Sequence, residues 1–78
     1  MADVLAMIRI ERERQDAEWG EQNHEDLYWL GILMEEVGEI AKAIIECRPA
    51  DVGKELVEAA AVSVAWLECL KRKWSESA

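Results

Sequence analysis

Apolar side chains recur at helical spacing along three stretches of this chain, and polar or turn-forming residues separate them. In the first stretch, about 2–18, Val4, Leu5 and Ile8 form one stripe. The charged run Glu11-Arg12-Glu13-Arg14 follows, so the second half of this helix must be solvated or face something polar. Trp19-Gly20 ends it, with Gly20 placed as a left-handed cap. Residues 21–25 are polar and read as a loop. The second stretch, about 26–47, carries Leu27, Leu30, Met34, Val37, Ile40, Ala41 and Ile44 at helical spacing. Gly31 and Gly38 interrupt it, each costing about 1 kcal/mol of helix propensity relative to alanine. Such glycines suit a place where another backbone or a ligand comes close. Arg48-Pro49 stops this helix, because the residue before proline is pushed out of the α region.

The third stretch starts near 50 or 51 and runs to about 74. Between Leu56 and Leu67 its only polar residues are Glu58 and Ser63. A helix that is apolar nearly all round is buried on several sides. It is therefore expected to be the central helix and to pack against a partner chain. Residues 75–78 read as a fraying tail. The fold class is all-α, in one domain spanning 1–78.

Composition sharpens the expectation of self-association. Seventy-eight residues bury a smaller share of their surface than a larger domain does. Half of these residues are apolar, and four are tryptophan. That is more apolar surface than three short helices easily hide. Trp66 and Trp74 are expected in the core or at an interface. Of Tyr28 and Trp29, one should pack while the other faces the loop or a partner. Cys47 and Cys69, 22 positions apart, match neither a zinc knuckle nor a redox CxxC and are expected as reduced thiols.

The formal charge is −8, from 17 acidic and 9 basic side chains. So acidic a chain lacks the electrostatic footprint of a nucleic-acid or anionic-membrane binder. The apolar start has no basic n-region or small-residue cleavage site, and no apolar run approaches the roughly 20 residues of a membrane span. A cytoplasmic protein is expected.

The chemistry gathers in two glutamate groups, Glu35-Glu36-Val37-Gly38-Glu39 and Glu55-Leu56-Val57-Glu58. Residues three apart on a helix share a face. If the second and third helices pack antiparallel, Glu36, Glu39, Glu55 and Glu58 can converge. Converging carboxylates repel unless a hard cation sits among them, and oxygen-rich sites suit Mg²⁺ or Mn²⁺.

These two motifs, with fifteen residues between them, resemble the EExxE…ExxD signature of MazG-like all-α nucleoside triphosphate pyrophosphohydrolases. The run from Glu11 to His24, with Trp19-Gly20-Glu21-Gln22-Asn23-His24, is similar to the N-terminal segment of short MazG-like proteins of phages and mobile elements. So is the stretch from Ala59 to Glu68. The resemblance implies Mg²⁺-dependent cleavage of a nucleoside or deoxynucleoside triphosphate between its α- and β-phosphates. It implies Glu36, Glu39, Glu55 and Glu58 as metal ligands, with Glu35 orienting or deprotonating the attacking water. It also implies a homodimer, or a dimer of dimers, in which the second and third helices of two protomers form a four-helix core.

Trp19 and His24 are candidates to hold the nucleobase, since an aromatic ring stacks on any base. Lys54, Arg12 and Arg14 are candidates for the phosphates. Position 58 is Glu where the fuller motif has Asp. Family members commonly add a C-terminal segment of basic and amide residues, whereas here the C-terminal cations are Lys71, Arg72 and Lys73. The competing expectation is therefore a helical module that binds nucleotide or metal, or a protein partner, without turnover. A di-iron bundle would add Glu-x-x-His pairs, and the sole histidine, His24, lies outside both motifs.

Overall fold

In the computed structural model, which describes residues 3–77, all regular structure is helical: α1 (Val4–Trp19), α2 (Asp26–Ile45) and α3 (Pro49–Ser77). The first residue of the expected opening helix and the last of the expected tail lie outside the described residues. Asp3 caps α1 by accepting a hydrogen bond from the Ala6 amide at 2.8 Å, which satisfies one orphan donor of the first turn. Gly20 closes α1 with its N–H on the Asp16 carbonyl. Its backbone (φ 71°, ψ −169°) is not the expected left-handed cap but lies in a region essentially restricted to glycine.

The turn between α2 and α3 corrects the expected boundary. Helix α2 stops at Ile45, two residues short of 47, and Pro49 does not stop it but occupies the first position of α3. Proline is favoured there, because its ring fixes φ and the missing N–H would be unpaired anyway. What ends α2 is a Schellman turn: Cys47 N–H bonds Ile44 O, and Arg48 N–H bonds Ala43 O. Cys47 sits at φ 55°, where a side chain is strained and glycine is not. Cys47→Gly removes a left-handed penalty of about 1–2 kcal/mol and costs about 0.4–1 kcal/mol in added unfolded-chain entropy. A net stabilisation of about 0.5–1 kcal/mol is therefore expected, a rise of roughly 2–8 °C in the melting point. Thermal unfolding followed by circular dichroism checks it. At the other end α3 continues through Ser77 instead of fraying from 75.

Helix α3 is central, as expected. It packs against both other helices, whereas α1 and α2 do not pack on each other. Trp66 Nε1–H ties α3 to the start of α2 through Asp26, at 3.0 Å. The core is thin: Trp29, Ala43, Ala61, Val62 and Cys69 are buried, with Ile32, Leu33, Ala65 and Trp66 partly so. Ala43 and Ala61 are fully buried. Cys69 is a buried free thiol and Cys47 an exposed one, so no disulfide joins them.

The face of α2 that packs is not the one its strongest apolar stripe marks. Trp29, Ile32, Leu33, Glu36, Ile40 and Ala43 turn toward α3. Of the seven apolar positions that recur at helical spacing, Leu27, Leu30, Met34, Val37, Ala41 and Ile44 form a second seam that is open to solvent, and Ile40 is half-buried. The Val4–Leu5 end of α1 is likewise exposed, as is Trp74. Helix α2 is apolar on two sides, and one α3 can cover only one of them. A side chain built at Gly31 or Gly38 meets nothing within 4 Å, so the close approach expected there does not occur within the protomer. No helix among the described residues is long and apolar enough to cross a membrane.

Candidate metal centre and ligand cleft

Antiparallel pairing of α2 and α3 carries Glu36 to the level of Glu55 and Glu58. The three carboxylates each offer an oxygen within 4.8 Å of the others. Glu39, one turn further along α2, is exposed and stands outside this group, although its charge still acts on Glu36 and Glu55. Three of the four expected ligands are thus brought together.

The electrostatics of the group are those of crowded anions. Burial pushes the Glu36 carboxyl above the ordinary glutamate value of 4.5, and the charges of Glu55, Glu39 and Glu35 push the same way. Hydrogen bonding to Glu58 pulls it back in part. Glu55 is also raised, by desolvation first and then by Glu58, against a weaker downward pull from Lys54. One oxygen of Glu36, Oε2, is buried and has no hydrogen-bond partner among the described residues. A buried acceptor left unpaired costs about 1–3 kcal/mol. An all-carboxylate donor set with a vacant lone pair fits a hard divalent cation.

Beside the carboxylates opens a cleft of about 720 Å³ between α1 and α2, floored by α3. Glu35, Glu36 and Glu58 line one part of it, and Ile32, Val62 and Ala65 make an apolar floor. Trp19, 55% exposed, forms part of the α1 wall and has the Arg14 guanidinium 5.8 Å from its ring centre. Trp29 also lines the cleft, and its buried indole N–H has no hydrogen-bond partner among the described residues.

Arg12, with a side chain only 14% exposed, fastens α1 to α3. Its Nε and Nη2 donate to Glu68 Oε1 at 2.9 and 2.7 Å, its Nη2 also to Asp16 and its Nη1 to Gln15. Arg14 pairs with Glu11 and Glu18, both at 2.7 Å. Arg72 donates to the Asn23 side chain and the Gln22 carbonyl, which pins the loop across α3.

Of the expected substrate contacts, the structure therefore sets Trp19 and Arg12 on the cleft and leaves His24 and Lys54 off its lining. His24 packs against Tyr28 and Trp29, with ring centres 4.4 and 5.0 Å away. Its Nε2 meets Gln22 Oε1, and it lines a smaller recess with Asn23, Glu25 and Lys73. Lys54 is exposed beyond the carboxylates, where its charge reaches Glu55 and Glu11. Trp29, Glu68 and Arg72 line the cleft although the sequence motifs did not single them out as site residues. Trp29 was legible in principle, because it stands seven residues before Glu36 and therefore on the same face of α2.

No protein-family model matches this chain, and neither a curated protein nor a solved structure shows significant similarity to it.

Proposed function

We propose that the chain is a Mg²⁺-dependent nucleoside or deoxynucleoside triphosphate pyrophosphohydrolase of MazG-like type, releasing monophosphate and pyrophosphate. The observation that carries this reading is the triad Glu36, Glu55 and Glu58, drawn from antiparallel helices, of which Glu36 and Glu58 open onto a cleft with two tryptophans. The three carboxylates would hold the metal, with Glu39 able to join them from the next turn. A divalent ion, Mg²⁺ or Mn²⁺, would supply charge neutralisation on the phosphate oxygens and a more acidic water. Glu35, on the cleft wall, would orient the attacking water and take its proton as the bridging P–O bond between α- and β-phosphates breaks. Trp19 would stack on the base, and the apolar floor would exclude bulk water from the reacting phosphates.

Incubation with Mg²⁺ and a panel of triphosphates tests the reading, and pyrophosphate and monophosphate are expected in equal amounts. Binding without release from any of them would favour the second reading, a nucleotide- or metal-binding helical module. One observation supports that alternative: all three cleft arginines are engaged by the protein itself.

The working form would be a homodimer or homotetramer joined along the open seam of α2. The chain exposes 5690 Å², against about 4,800 Å² for a folded monomer of this size. The difference matches the roughly 800 Å² that each partner buries in a standard interface. Gly31→Ala and Gly38→Ala separate the possibilities. On a free face each should raise helix stability by about 1 kcal/mol. On a face pressed against a second copy each should weaken association, and sedimentation velocity is expected to show that loss.

A further inference from the structure

The cleft is more negative than its arginines suggest. Seven carboxylates and three arginines line it, and none of the arginines is idle. Glu68 and Asp16 hold Arg12, Glu11 and Glu18 hold Arg14, and Asn23 with Glu21 holds Arg72. A concave surface of one sign with low-dielectric walls focuses its field, and the field repels ligands of the same sign. A triphosphate, itself a polyanion, meets no uncommitted positive group on these walls.

We infer that the metal-free cleft is closed electrostatically to a triphosphate. Cation loading of the carboxylates comes first, and Glu68 and Asp16 mask Arg12 as the second part of the same gate. The inference rests on the proposed reading of the cleft as a triphosphate site and adds the order in which that site fills. Arg12 is the residue on which the masking turns. Its Nε and Nη2 edge is turned onto Glu68, and that same edge would otherwise present the paired donors suited to a phosphate. Replacing the Glu68 carboxylate by a neutral amide oxygen keeps a weaker acceptor for Arg12, so α1 stays fastened in the free protein while a phosphate can displace that acceptor. Glu68→Gln does this.

The experiment is isothermal titration of an α,β-methylene triphosphate into the full chain, with the metal removed by chelator and then with Mg²⁺, alongside Mg²⁺ alone. For the wild type, Mg²⁺ alone should bind, the analogue alone should not, and the two together should. In chelator, Glu68→Gln should make analogue binding measurable, at least about tenfold tighter than the wild-type limit. Glu13→Gln, an equal change of charge at an exposed α1 position off the cleft, should not.

Metal-free binding by the wild type within about threefold of its affinity in Mg²⁺ would overturn the gate and leave the proposed function standing. Equal behaviour of Glu68→Gln and Glu13→Gln would overturn the masking of Arg12, and Asp16→Asn serves the same purpose should Glu68→Gln lose its helical circular dichroism. If neither cation nor analogue binds under any condition, the triphosphate reading falls together with the gate.

Discussion

Glu58→Gln is expected to remove triphosphate hydrolysis by at least about 10²–10³-fold, the loss that follows removal of one preorganised electrostatic group at a reacting centre. Glu36→Gln should do the same. Glutamine has the size and helix propensity of glutamate, so the substitution changes charge and leaves the helices alone. The two variants carry a second signature. In the metal-free protein Glu36, Glu55 and Glu58 crowd within 4.8 Å, and neutralising one of them relieves repulsion. Each variant should therefore melt no lower than the wild type in chelator, and gain far less from Mg²⁺. Pyrophosphate release and melting curves read the two effects separately. Near-wild-type turnover in either variant would remove that residue from the site.

The second large effect is stabilisation by Mg²⁺ itself. A ligand that binds only the folded state at a hundred times its Kd adds about 2.7 kcal/mol, or roughly 10–20 °C for a domain of this size. The effect should depend on pH, with a sign fixed by the carboxylates. Glu36 and Glu55 are held above their ordinary value of 4.5 when folded. The folded protein therefore keeps protons that the unfolded chain has already released. That contribution is fully present below 4.5 and is lost as pH rises through the raised range. Glu11 works the other way, since its hydrogen bond with Arg14 holds it down, and its contribution vanishes only as pH falls. Metal-free protein should thus lose stability as pH climbs above 4.5, and the increment due to Mg²⁺ should grow over the same interval. Differential scanning at several pH values with and without Mg²⁺ checks both. A melting point indifferent to millimolar Mg²⁺ and Mn²⁺ would argue against an assembled acidic centre.

Three helices and their order were readable from periodicity alone, and the central place of α3 followed from its unbroken apolar run between Leu56 and Leu67. The end of α2 was misplaced because Cys47 stands where a Schellman turn ordinarily has glycine, and no local signal marked it. The packing face of α2 was not legible for a different reason. Its two apolar stripes are offset by one or two residues, about a third of a turn round the helix, and periodicity cannot say which one a neighbour covers. Within the site, i,i+3 spacing with an antiparallel pairing of α2 and α3 brought Glu36 to Glu55 and Glu58 but could not show that Glu39 stands outside their group. Arg12 was singled out from the sequence, yet its engagement by Glu68 joins residues 56 apart and depends on how α1 crosses α3. His24 looked like a base contact from its polar loop, but stacking on Tyr28 and Trp29 turns it into a neighbouring recess.

The double-sided character of α2 has a consequence for how the chain tolerates change. Trp29, Ile32, Leu33 and Ala43 turn toward α3 and hold the fold together, while Leu27, Met34, Val37 and Ile44, about a third of a helical turn round, lie open to solvent. Substitutions on one side leave the other side's contacts intact. Robustness of the fold and the chemistry of the open face are thus separate traits written on a single rod, free to drift independently.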